Sequence, residues 1–347
     1  MNDQKAVKKS IRRNKPIDCG AVLLEQVPRL SAYPALIRQF LVFALQKLVC
    51  EDRINAFLID NAMTRDFAFI DQVFQHLKID YEAGGRDIEN IPPKGRMIIV
   101  ANHPLGGLDG LALLRLVSNV RRDVRIVVNE LLLHISQLNN LSLPVDVISG
   151  KTKKADICRV RQALNNDEAV IIFPAGEVSR AGAKGIRDRH WLPGFIQLAN
   201  ATRSPILPIH IKAQNSALFY AISRISQPLS MLMLPREMLG FKGKISFTIG
   251  QAIAPGVIEE LPLSRKKQAK LVSDHLRRIG SGKTPLFATQ MQLIEKCDRH
   301  AIQAELYQAE RLGQTIDNKL IFLFDSRRQS VVLEEIGRLR ERTFRLV

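Results

Sequence analysis

The stretch GRMIIVANHPLGGLDG, residues Gly95–Gly110, decides the fold of this chain. Its first half is a short apolar run, as expected of a strand that is buried on both faces. Pro104 ends the run, and the pair Gly106–Gly107 lets the backbone turn sharply into Leu108–Val120, which has a helical pattern. The stretch therefore predicts a strand, a tight turn and a helix, the unit from which α/β sheets are built.

Two ionisable side chains lie on either side of this turn. His103 follows the strand at its carboxyl end, where reacting groups collect in α/β sheets, and Asp109 lies at the start of the helix. A turn this tight can fold the carboxylate back onto the imidazole and leave the other ring nitrogen to accept a proton from an alcohol. The plainer alternative is that Asp109 only caps the helix and His103 is a satisfied turn histidine. Spacing alone leaves both alternatives open.

A second apolar run enters a polar turn in IIFPAGEVSRAGAKGIRDRHW, residues Ile171–Trp191. Arginine and lysine on a loop at the end of a strand can bind phosphate or carboxylate head groups. The alternative is a solvated basic loop. The turn carries Glu177, Ser179, Arg180, Lys184, Arg187 and Arg189.

Apolar runs and helical patterns alternate along the rest of the central region. This alternation predicts an α/β fold whose mixed, partly parallel sheet is flanked by helices. The further strand candidates are Val124–Val128, Val145–Ile148, Ala169–Phe173, Ile206–Ile211 and Ile245–Ile249. The helix candidates are Lys153–Asn165, Trp191–Thr202, Ser216–Ser223, Ser264–Ile279 and Leu286–Gln308.

Residues before about position 85 have a helical pattern. The residues that share one apolar face are Phe67, Ile70, Val73, Phe74 and Leu77, while Phe69 falls to one side. The most apolar stretch, Ser31–Val49, is interrupted by polar residues and lacks the roughly 18 uninterrupted apolar residues of a membrane span. If it is helical, its apolar face either lies in a membrane interface or packs on the core.

The formal net charge of +17 implies an anionic partner, which is a membrane surface, nucleic acid or an acidic substrate. One Trp and four Tyr supply few rings for stacking on single-stranded nucleic acid, so we expect an anionic membrane surface and no nucleic acid. The four cysteines and seven histidines lack the spacing of a metal site, and no metal or cofactor is expected. The basic N-terminus lacks the apolar core of a signal peptide. We therefore expect a cytoplasmic protein, peripheral on the inner membrane of a bacterium.

Three segments follow one another along the chain: NHPLGGLDG, FPAGEVSR and SPILPIHI (Ser204–Ile211). Together they resemble the motifs of the lysophospholipid acyltransferase family, whose best-known members make phosphatidic acid from 1-acylglycerol-3-phosphate. The resemblance covers roughly residues 86–255 and implies a glycerolipid-acyltransferase-like core. It implies direct acyl transfer from an acyl carrier protein or coenzyme A thioester to the hydroxyl of a lysolipid. By its match to the family's motif, His103 is the base and Asp109 its orienting acid.

The same resemblance implies which residues contact the substrates: Asn102, Gly106, Gly107, Gly176, Glu177, Ser179, Arg180 and Lys184. Five residues separate His103 from Asp109 where the family has four, and Ala175 and Val178 stand where it has Glu and Arg. These departures are similar to the branch often labelled hemolysin and to the O-acyltransferases of bacterial ornithine and glycine lipids. An aminolipid acceptor is therefore an alternative to a glycerophosphate. A non-catalytic lipid-binding or regulatory protein that keeps the fold is the alternative to an enzyme.

Four regions are expected: N-terminal helices on a membrane surface (1–85), the α/β acyltransferase core (86–255), C-terminal helices (256–309) and a tail (310–347). The tail has a strand pattern in Lys319–Phe324 and a helical pattern in Ser330–Phe344. Its segment EIGRLRERTFR, Glu335–Arg345, resembles the opening of an N-acyltransferase domain. The resemblance implies the start of a second, truncated domain and an N-acyltransferase as a partner activity.

The segment GSGKT, Gly280–Thr284, resembles the end of a phosphate-binding P-loop. Arg277 stands where that motif needs its first Gly, and the segment follows a helix pattern instead of a strand. We therefore expect no nucleotide-binding P-loop here.

Overall fold

The protein is described by a computed structural model for residues 15–27, 32–145, 153–182, 185–287, 296–324 and 330–344. Packing divides the chain into two compact units, Met1–Gln290 and Met291–Val347. The first unit contains the residues that carry the predicted chemistry.

The first unit is built on a central sheet. Its strands are β1 (Tyr81–Ala83), β2 (Met97–Ala101), β3 (Val124–Val128), β4 (Ser142–Pro144), β5 (Ala169–Ile172), β8 (Ile206–Lys212) and β9 (Ile245–Ile249). Strands β6 (Arg180–Gly182) and β7 (Gly185–Arg187) form a separate hairpin. The order across the sheet is β1-β9-β8-β2-β5-β3-β4. Neighbouring strands are parallel except β8 and β9, which are antiparallel. The expected α/β fold, with a mixed and mostly parallel sheet between helices, is confirmed.

Helices cover both faces of this sheet. The helices of this unit are α1 (Cys19–Gln26), α2 (Ala35–Val49), α3 (Glu51–Asp60), α4 (Asp66–Leu77), α5 (Gly85–Ile88), α6 (Gly107–Ser118), α7 (Lys154–Asn165), α8 (Gly194–Thr202), α9 (Ala217–Ile225), α10 (Gln227–Leu239) and α11 (Arg265–Gly280). The core on one face lies beneath α4 and α6, and the core on the other lies beneath α7, α8 and α11. Among the described residues, every helix is too short or too polar to span a bilayer.

Strand β2 lies at the centre because every one of its side chains is apolar and buried. Alternate residues of a strand point to opposite faces. Met97 and Ile99 therefore belong to the core beneath α4 and α6, while Ile98 and Val100 belong to the core beneath α7, α8 and α11. A strand buried on both faces has its carboxyl end fixed on both sides, and that end carries His103.

The N-terminal helices depart from the predicted pattern in two places. Phe69 is buried, because α4 also packs against α3, where Phe69 joins Leu58 and Val73 in a smaller core. Helix α2 has no buried residue among those described, and it packs against α10 with its apolar side chains largely exposed. Near its carboxyl end, Leu48 packs against a small core formed by Phe219, Tyr220 and Met233. Of the two alternatives for this stretch, packing on the core is therefore seen at Leu48, and a place in the membrane interface stays a prediction.

Three further expectations differ from the structure. The strand expected at Val145–Ile148 is β4, which ends at Pro144, and residues 146–148 lie outside the described residues. Helix α10 was not anticipated, because Pro235 lies inside it. The helix expected over Leu286–Gln308 is non-helical at residues 286–287 and 296–298, and residues 288–295 lie outside the described part. Helix α12 (Arg299–Tyr307) begins after Asp298, whose carboxylate accepts from two backbone amides of its first turn.

The second unit contains α12, the antiparallel hairpin of β10 (Glu310–Gln314) and β11 (Leu320–Leu323), and α13 (Val331–Phe344). The strand and helix expected in the tail match β11 and α13. That this unit opens an N-acyltransferase domain stays a prediction, as do the boundaries of the four regions.

Candidate active site

The carboxyl end of β2 brings His103 and Asp109 together. His103 lies two residues beyond β2, and the glycine turn places Asp109 in the first turn of α6, facing the imidazole. Nδ1 of His103 is 3.2 Å from Oδ2 of Asp109. The direction of the Nδ1–H bond falls outside good hydrogen-bond geometry at this separation, so the two groups interact mainly through charge.

Asp109 is fully buried, and its carboxylate contacts both the His103 imidazole and the backbone amides of the turn. Its Oδ2 accepts hydrogen bonds from the backbone N–H of Leu105 at 2.7 Å and of Gly106 at 3.1 Å. Burial raises the pKa of this carboxyl above its usual value, while the imidazole and the two amides act in the opposite direction. Both arrangements considered for Asp109 are therefore present, since it caps α6 and faces His103.

Gly106 makes this turn possible. Its backbone has φ +85° and ψ −133°, a conformation that is open essentially to glycine alone. A Cβ at this position would lie 3.2 Å from the side chain of Leu234 on α10 and 3.4 Å from Val178. The turn is thus fixed by both backbone preference and space, and its amide is aimed at Asp109.

The imidazole of His103 stacks on Phe173, which directly follows β5. The two ring centroids are 4.0 Å apart and the planes are inclined by 24°. The His103 side chain is 18% exposed, so the ring is covered on one face by Phe173, lies beside Asp109 at Nδ1 and remains reachable from solvent. These contacts fix the ring orientation that a general base needs.

The backbone of His103 is held by Asp188, a residue outside the set predicted from the motifs. Oδ1 of Asp188 accepts from the His103 N–H at 3.2 Å and from the Ser179 hydroxyl, and Oδ2 accepts from Trp191 Nε1 at 2.9 Å. The Ser179 N–H in turn donates to the His103 carbonyl at 2.8 Å. Asp188 thus ties the second motif to the first. Its one sequence signal is that it is the sole carboxylate in the basic segment 178–190.

Glu177 and Arg180 form a paired cluster beside this site. Oε2 of Glu177 lies 3.0 Å from Arg180 Nη2 and accepts from Gln227 Nε2 at 2.8 Å, while Arg189 Nε lies 3.5 Å from Oε1. Arg180 also donates to the Ser223 carbonyl at 3.4 Å. Two guanidinium groups therefore share one carboxylate, which leaves a net positive charge near the turn.

The other residues predicted to contact the substrates have different roles in the structure. The Asn102 amide donates to the Ile211 carbonyl at 2.8 Å and accepts from the Ile211 N–H at 2.7 Å, so it joins β2 to β8. The Ser179 hydroxyl is bonded to Asp188, as described above. Gly107 has open space around its Cα, and Gly176 adopts φ +65° in the second motif. Lys184 lies outside the described residues. Substrate contact by these residues stays a prediction.

Across the described ranges, no group of three or more His, Cys, Asp and Glu side chains is arranged to hold a metal ion. The chemistry available at this site is that of a buried carboxylate, a partly exposed imidazole and nearby guanidinium groups.

The family model described as "Acyltransferase" matches residues 21–268 of this chain. This chain belongs to the acyltransferase family. The match contains both motifs and all of the sheet, so the expected family and the enzyme class are confirmed.

Two curated relatives bear the name lyso-glycine lipid O-acyltransferase. The relative from Phocaeicola vulgatus is 32% identical over 226 residues, covering 62% of this chain and 80% of that protein. The relative from Bacteroides thetaiotaomicron is 32% identical over 240 residues, covering 67% of this chain and 86% of that protein.

A crystal structure of the 1-acyl-sn-glycerophosphate acyltransferase from Thermotoga maritima is also similar. It shares 18% sequence identity with a TM-score of 0.38, over 70% of this chain and 93% of that one. A likeness at this score adds nothing to the fold described above.

Proposed function

We propose that this acyltransferase moves a fatty acyl group from a thioester to the hydroxyl of a lysolipid, by general-base catalysis at His103. The observation that carries the proposal is the His103–Asp109 pair at the carboxyl end of β2, with 3.2 Å between Nδ1 and Oδ2. Two relatives named lyso-glycine lipid O-acyltransferase support a lysolipid acceptor.

The chemistry follows from the geometry of the pair. Asp109 keeps the proton on Nδ1, so that Nε2 is the free nitrogen that takes the proton of the acceptor hydroxyl. The oxygen attacks the thioester carbonyl, and the tetrahedral intermediate collapses as the thiolate leaves and receives the proton from the imidazolium. Asp109 stabilises that imidazolium while it exists. No covalent acyl-enzyme is needed.

We infer an acceptor with a carboxylate, such as a lyso-glycine lipid, in preference to a phosphate ester. Arg180 and Arg189 share Glu177, so this cluster offers about one net positive charge. One unit of charge complements a singly charged carboxylate better than a phosphate, which carries about two negative charges at neutral pH.

Acyl transfer by the purified protein tests the proposal. The donors are acyl carrier protein and coenzyme A thioesters, and the acceptors are lyso-glycine lipid, lyso-ornithine lipid and lysophosphatidic acid. We expect diacylated product, with kcat reduced by about 10² to 10⁴ in His103→Ala, the range that a general base contributes. A His103→Ala variant as active as the native chain would rule out the mechanism. A preference for lysophosphatidic acid would rule out the acceptor class.

We further propose that the enzyme docks on anionic membranes through an apolar platform on α2 and α10. The platform consists of Leu36, Ile37, Phe40, Leu41, Phe43, Leu229, Met231 and Leu232, all exposed. Leu234 on the same helix α10 lies against Gly106 of the active-site turn. A lysolipid leaving the membrane at this platform therefore enters close to His103. The net charge of +17 adds attraction to anionic lipids.

Vesicle sedimentation tests this docking. Anionic vesicles are expected to bind the protein more tightly than neutral ones. The double substitution Leu36→Ser with Phe40→Ser is expected to weaken binding at least a hundredfold, because burying two such side chains is worth about 3–6 kcal/mol. Met63→Ser is the matched control, since Met63 is 93% exposed and lies outside the platform. Equal losses in both variants would rule out the platform. A cytoplasmic location at the inner membrane is tested separately by cell fractionation.

A further inference from the structure

A polar cleft lies at the end of α11, beside Arg187 of β7. It has a volume of about 310 Å³ and is lined mainly by Arg187, Asp274, Arg277, Arg278, Ser281 and Lys283. Ser281 and Lys283 belong to GSGKT, the segment that resembles a P-loop in sequence but follows a helix. We call this feature the basic cleft.

The positive charge of the basic cleft is only partly neutralised. Asp274 pairs with Arg277 at 2.8 Å and with Lys270 at 2.9 Å. Within the described residues, Arg187 and Lys283 make no ion pair. The carboxyl end of α11 itself repels anions, so the cationic side chains alone make the cleft attractive to them. Like charges gathered around a concave surface disfavour one another unless an anion occupies it.

The basic cleft is held in place by a buried histidine. His275 is fully buried, and its Nδ1 accepts from the backbone N–H of Leu286 at 3.0 Å and of Phe287 at 3.3 Å. The Lys283 N–H donates to the Arg278 carbonyl at 2.8 Å. The segment that carries Lys283 is therefore fastened to α11 at both ends, which preorganises the cleft for a ligand.

The basic cleft lies near the carboxyl end of β2, where His103 is found. Arg187 directly precedes Asp188, whose carboxylate holds the backbone of His103. On the other side, Gly280 lies so close to the ring of His210 on β8 that a Cβ there would approach the ring to 2.2 Å. Strand β8 is the direct neighbour of β2. A ligand held in the cleft thus lies beside the catalytic edge.

We propose that the basic cleft binds the phosphate of the phosphopantetheine arm that carries the acyl thioester. This inference rests on the proposed function, which requires a thioester donor. Coenzyme A and acyl carrier protein share this arm, so both present the same phosphate group. A polar cleft with little apolar lining does not suit the acyl chains of a lipid, and arginine is the side chain best suited to phosphate.

Donor kinetics test the proposal with Arg187→Gln and Lys283→Gln, and with Lys267→Gln as the matched control, since Lys267 is an exposed residue of α11 outside the cleft. We expect KM for acyl phosphopantetheine, acyl coenzyme A and acyl carrier protein to rise about tenfold in each cleft variant, the scale of one charged hydrogen bond. The control variant, KM for acyl pantetheine and KM for the acceptor are expected to stay unchanged.

Three results would overturn the proposal. One is an equal rise in KM for acyl pantetheine, which lacks the phosphate. Another is a rise confined to acyl coenzyme A, which would assign the cleft to the nucleotide phosphates, and the third is a rise confined to the carrier protein. Direct titration of the protein with phosphopantetheine separates this inference from the proposed function. Binding that weakens in the cleft variants supports the cleft even if no lysolipid is acylated, and absence of binding by the native chain contradicts it.

Discussion

Asp109 is held in an environment that opposes its charge. It is fully buried, its pKa is raised by that burial, and only the imidazole and two backbone amides favour the ionised form. A carboxyl whose pKa is higher in the folded than in the unfolded state stabilises the fold most at low pH, and this contribution is lost as the pH rises through the folded pKa. At neutral pH, where the unfolded chain ionises this carboxyl, the burial of Asp109 therefore costs stability.

We predict that Asp109→Asn is more stable than the native chain at pH 7 and nearly inactive. The amide oxygen can still accept from the backbone of Leu105 and Gly106, but it cannot stabilise the imidazolium, so we expect kcat to fall by about 10² to 10⁴. Thermal unfolding at several pH values measures the stability, and the advantage of the variant should shrink as the pH falls towards 4, the ordinary carboxyl pKa. A variant that is less stable than the native chain at pH 7 would contradict this account.

Asp188 holds three donors from both motifs, so its removal should loosen the whole site. Asp188→Ala leaves the Trp191 indole and the Ser179 hydroxyl without their partner, and we expect a loss of about 1–3 kcal/mol of stability together with a lower kcat. Trp191 is the sole tryptophan, so its fluorescence reports the local change directly. Asp188→Asn, which keeps one acceptor oxygen, should recover part of both losses. Unchanged fluorescence in Asp188→Ala would show that the contact to Trp191 is unimportant.

The sequence predicts the local part of this site and misses the long-range part. His103 and Asp109 are six positions apart and joined by one turn, so their meeting follows from the glycines between them. Asp188 lies 85 positions from His103 and reaches it only because β2 and the loop after β5 end at the same edge of the sheet. The pairing of Asn102 with β8 spans 109 positions and is equally hidden from local pattern.

At the scale of elements, the start of α6 depends on one glycine of the pair. Gly106→Ala forces a side chain into a positive-φ conformation and against Leu234, and we expect a loss of about 1–3 kcal/mol and a large fall in activity, because the turn that aims Asp109 is displaced. Gly107→Ala is the matched control, since Gly107 is the first residue of the helix and has open space around it. Denaturant unfolding should separate the two variants, and the acyl-transfer assay should show the fall in activity of Gly106→Ala. Equal effects would mean that the glycine pair matters only for flexibility.

The buried His275 gives the end of α11 a pH dependence. Burial lowers the pKa of this imidazole to about 4, so the folded state keeps it neutral while the unfolded chain takes up a proton below about pH 6.5. Its stabilising contribution is present above about pH 6.5 and is lost as the pH falls towards 4, with a slope of at most about 1.4 kcal/mol per pH unit.

We predict that His275→Asn removes this slope, because the Asn oxygen can accept from the same backbone amides without titrating. Unfolding free energies measured between pH 4 and 7 should therefore fall less steeply in the variant than in the native chain. Identical slopes would place the pH dependence of stability elsewhere in the molecule.

Secondary structure is predicted best where burial dictates the pattern. Val124–Val128 and Ile245–Ile249 are strands over the expected residues, because alternate apolar side chains of each strand are buried in the core. Helix α10 is hidden by Pro235, a residue that usually ends a helix. The β6–β7 hairpin has few apolar side chains, and its strands exist through the backbone pairing of Arg180 with Arg187.

At the scale of the whole molecule, the class of fold follows from sequence but the strand order does not. Alternating strands and helices imply a partly parallel sheet. The antiparallel pairing of β8 with β9 depends on α9 and α10, which join them on one side and bring the chain back in the opposite direction. No local pattern in either strand encodes that direction.

The two compact units lead to a prediction about folding. A chain that ends at Gln290 retains the sheet, both of its cores and the active site, and independent cores fold as separate units. We expect its thermal unfolding to be cooperative, with a Tm within about 2 °C of the main transition of the full chain. Calorimetry of both forms checks this. A shortened chain that fails to unfold cooperatively would mean that the residues after 290 are part of the same folding unit.

The stacking of His103 on Phe173 has a consequence for magnetic resonance. Protons held over the face of an aromatic ring feel its ring current, and with ring centroids only 4.0 Å apart the carbon-bound protons of His103 should resonate upfield of ordinary histidine signals. Phe173→Leu should return them to ordinary positions and so identify them among the seven histidines. Once assigned, the same signals follow the protonation of this one imidazole as pH or substrate is varied.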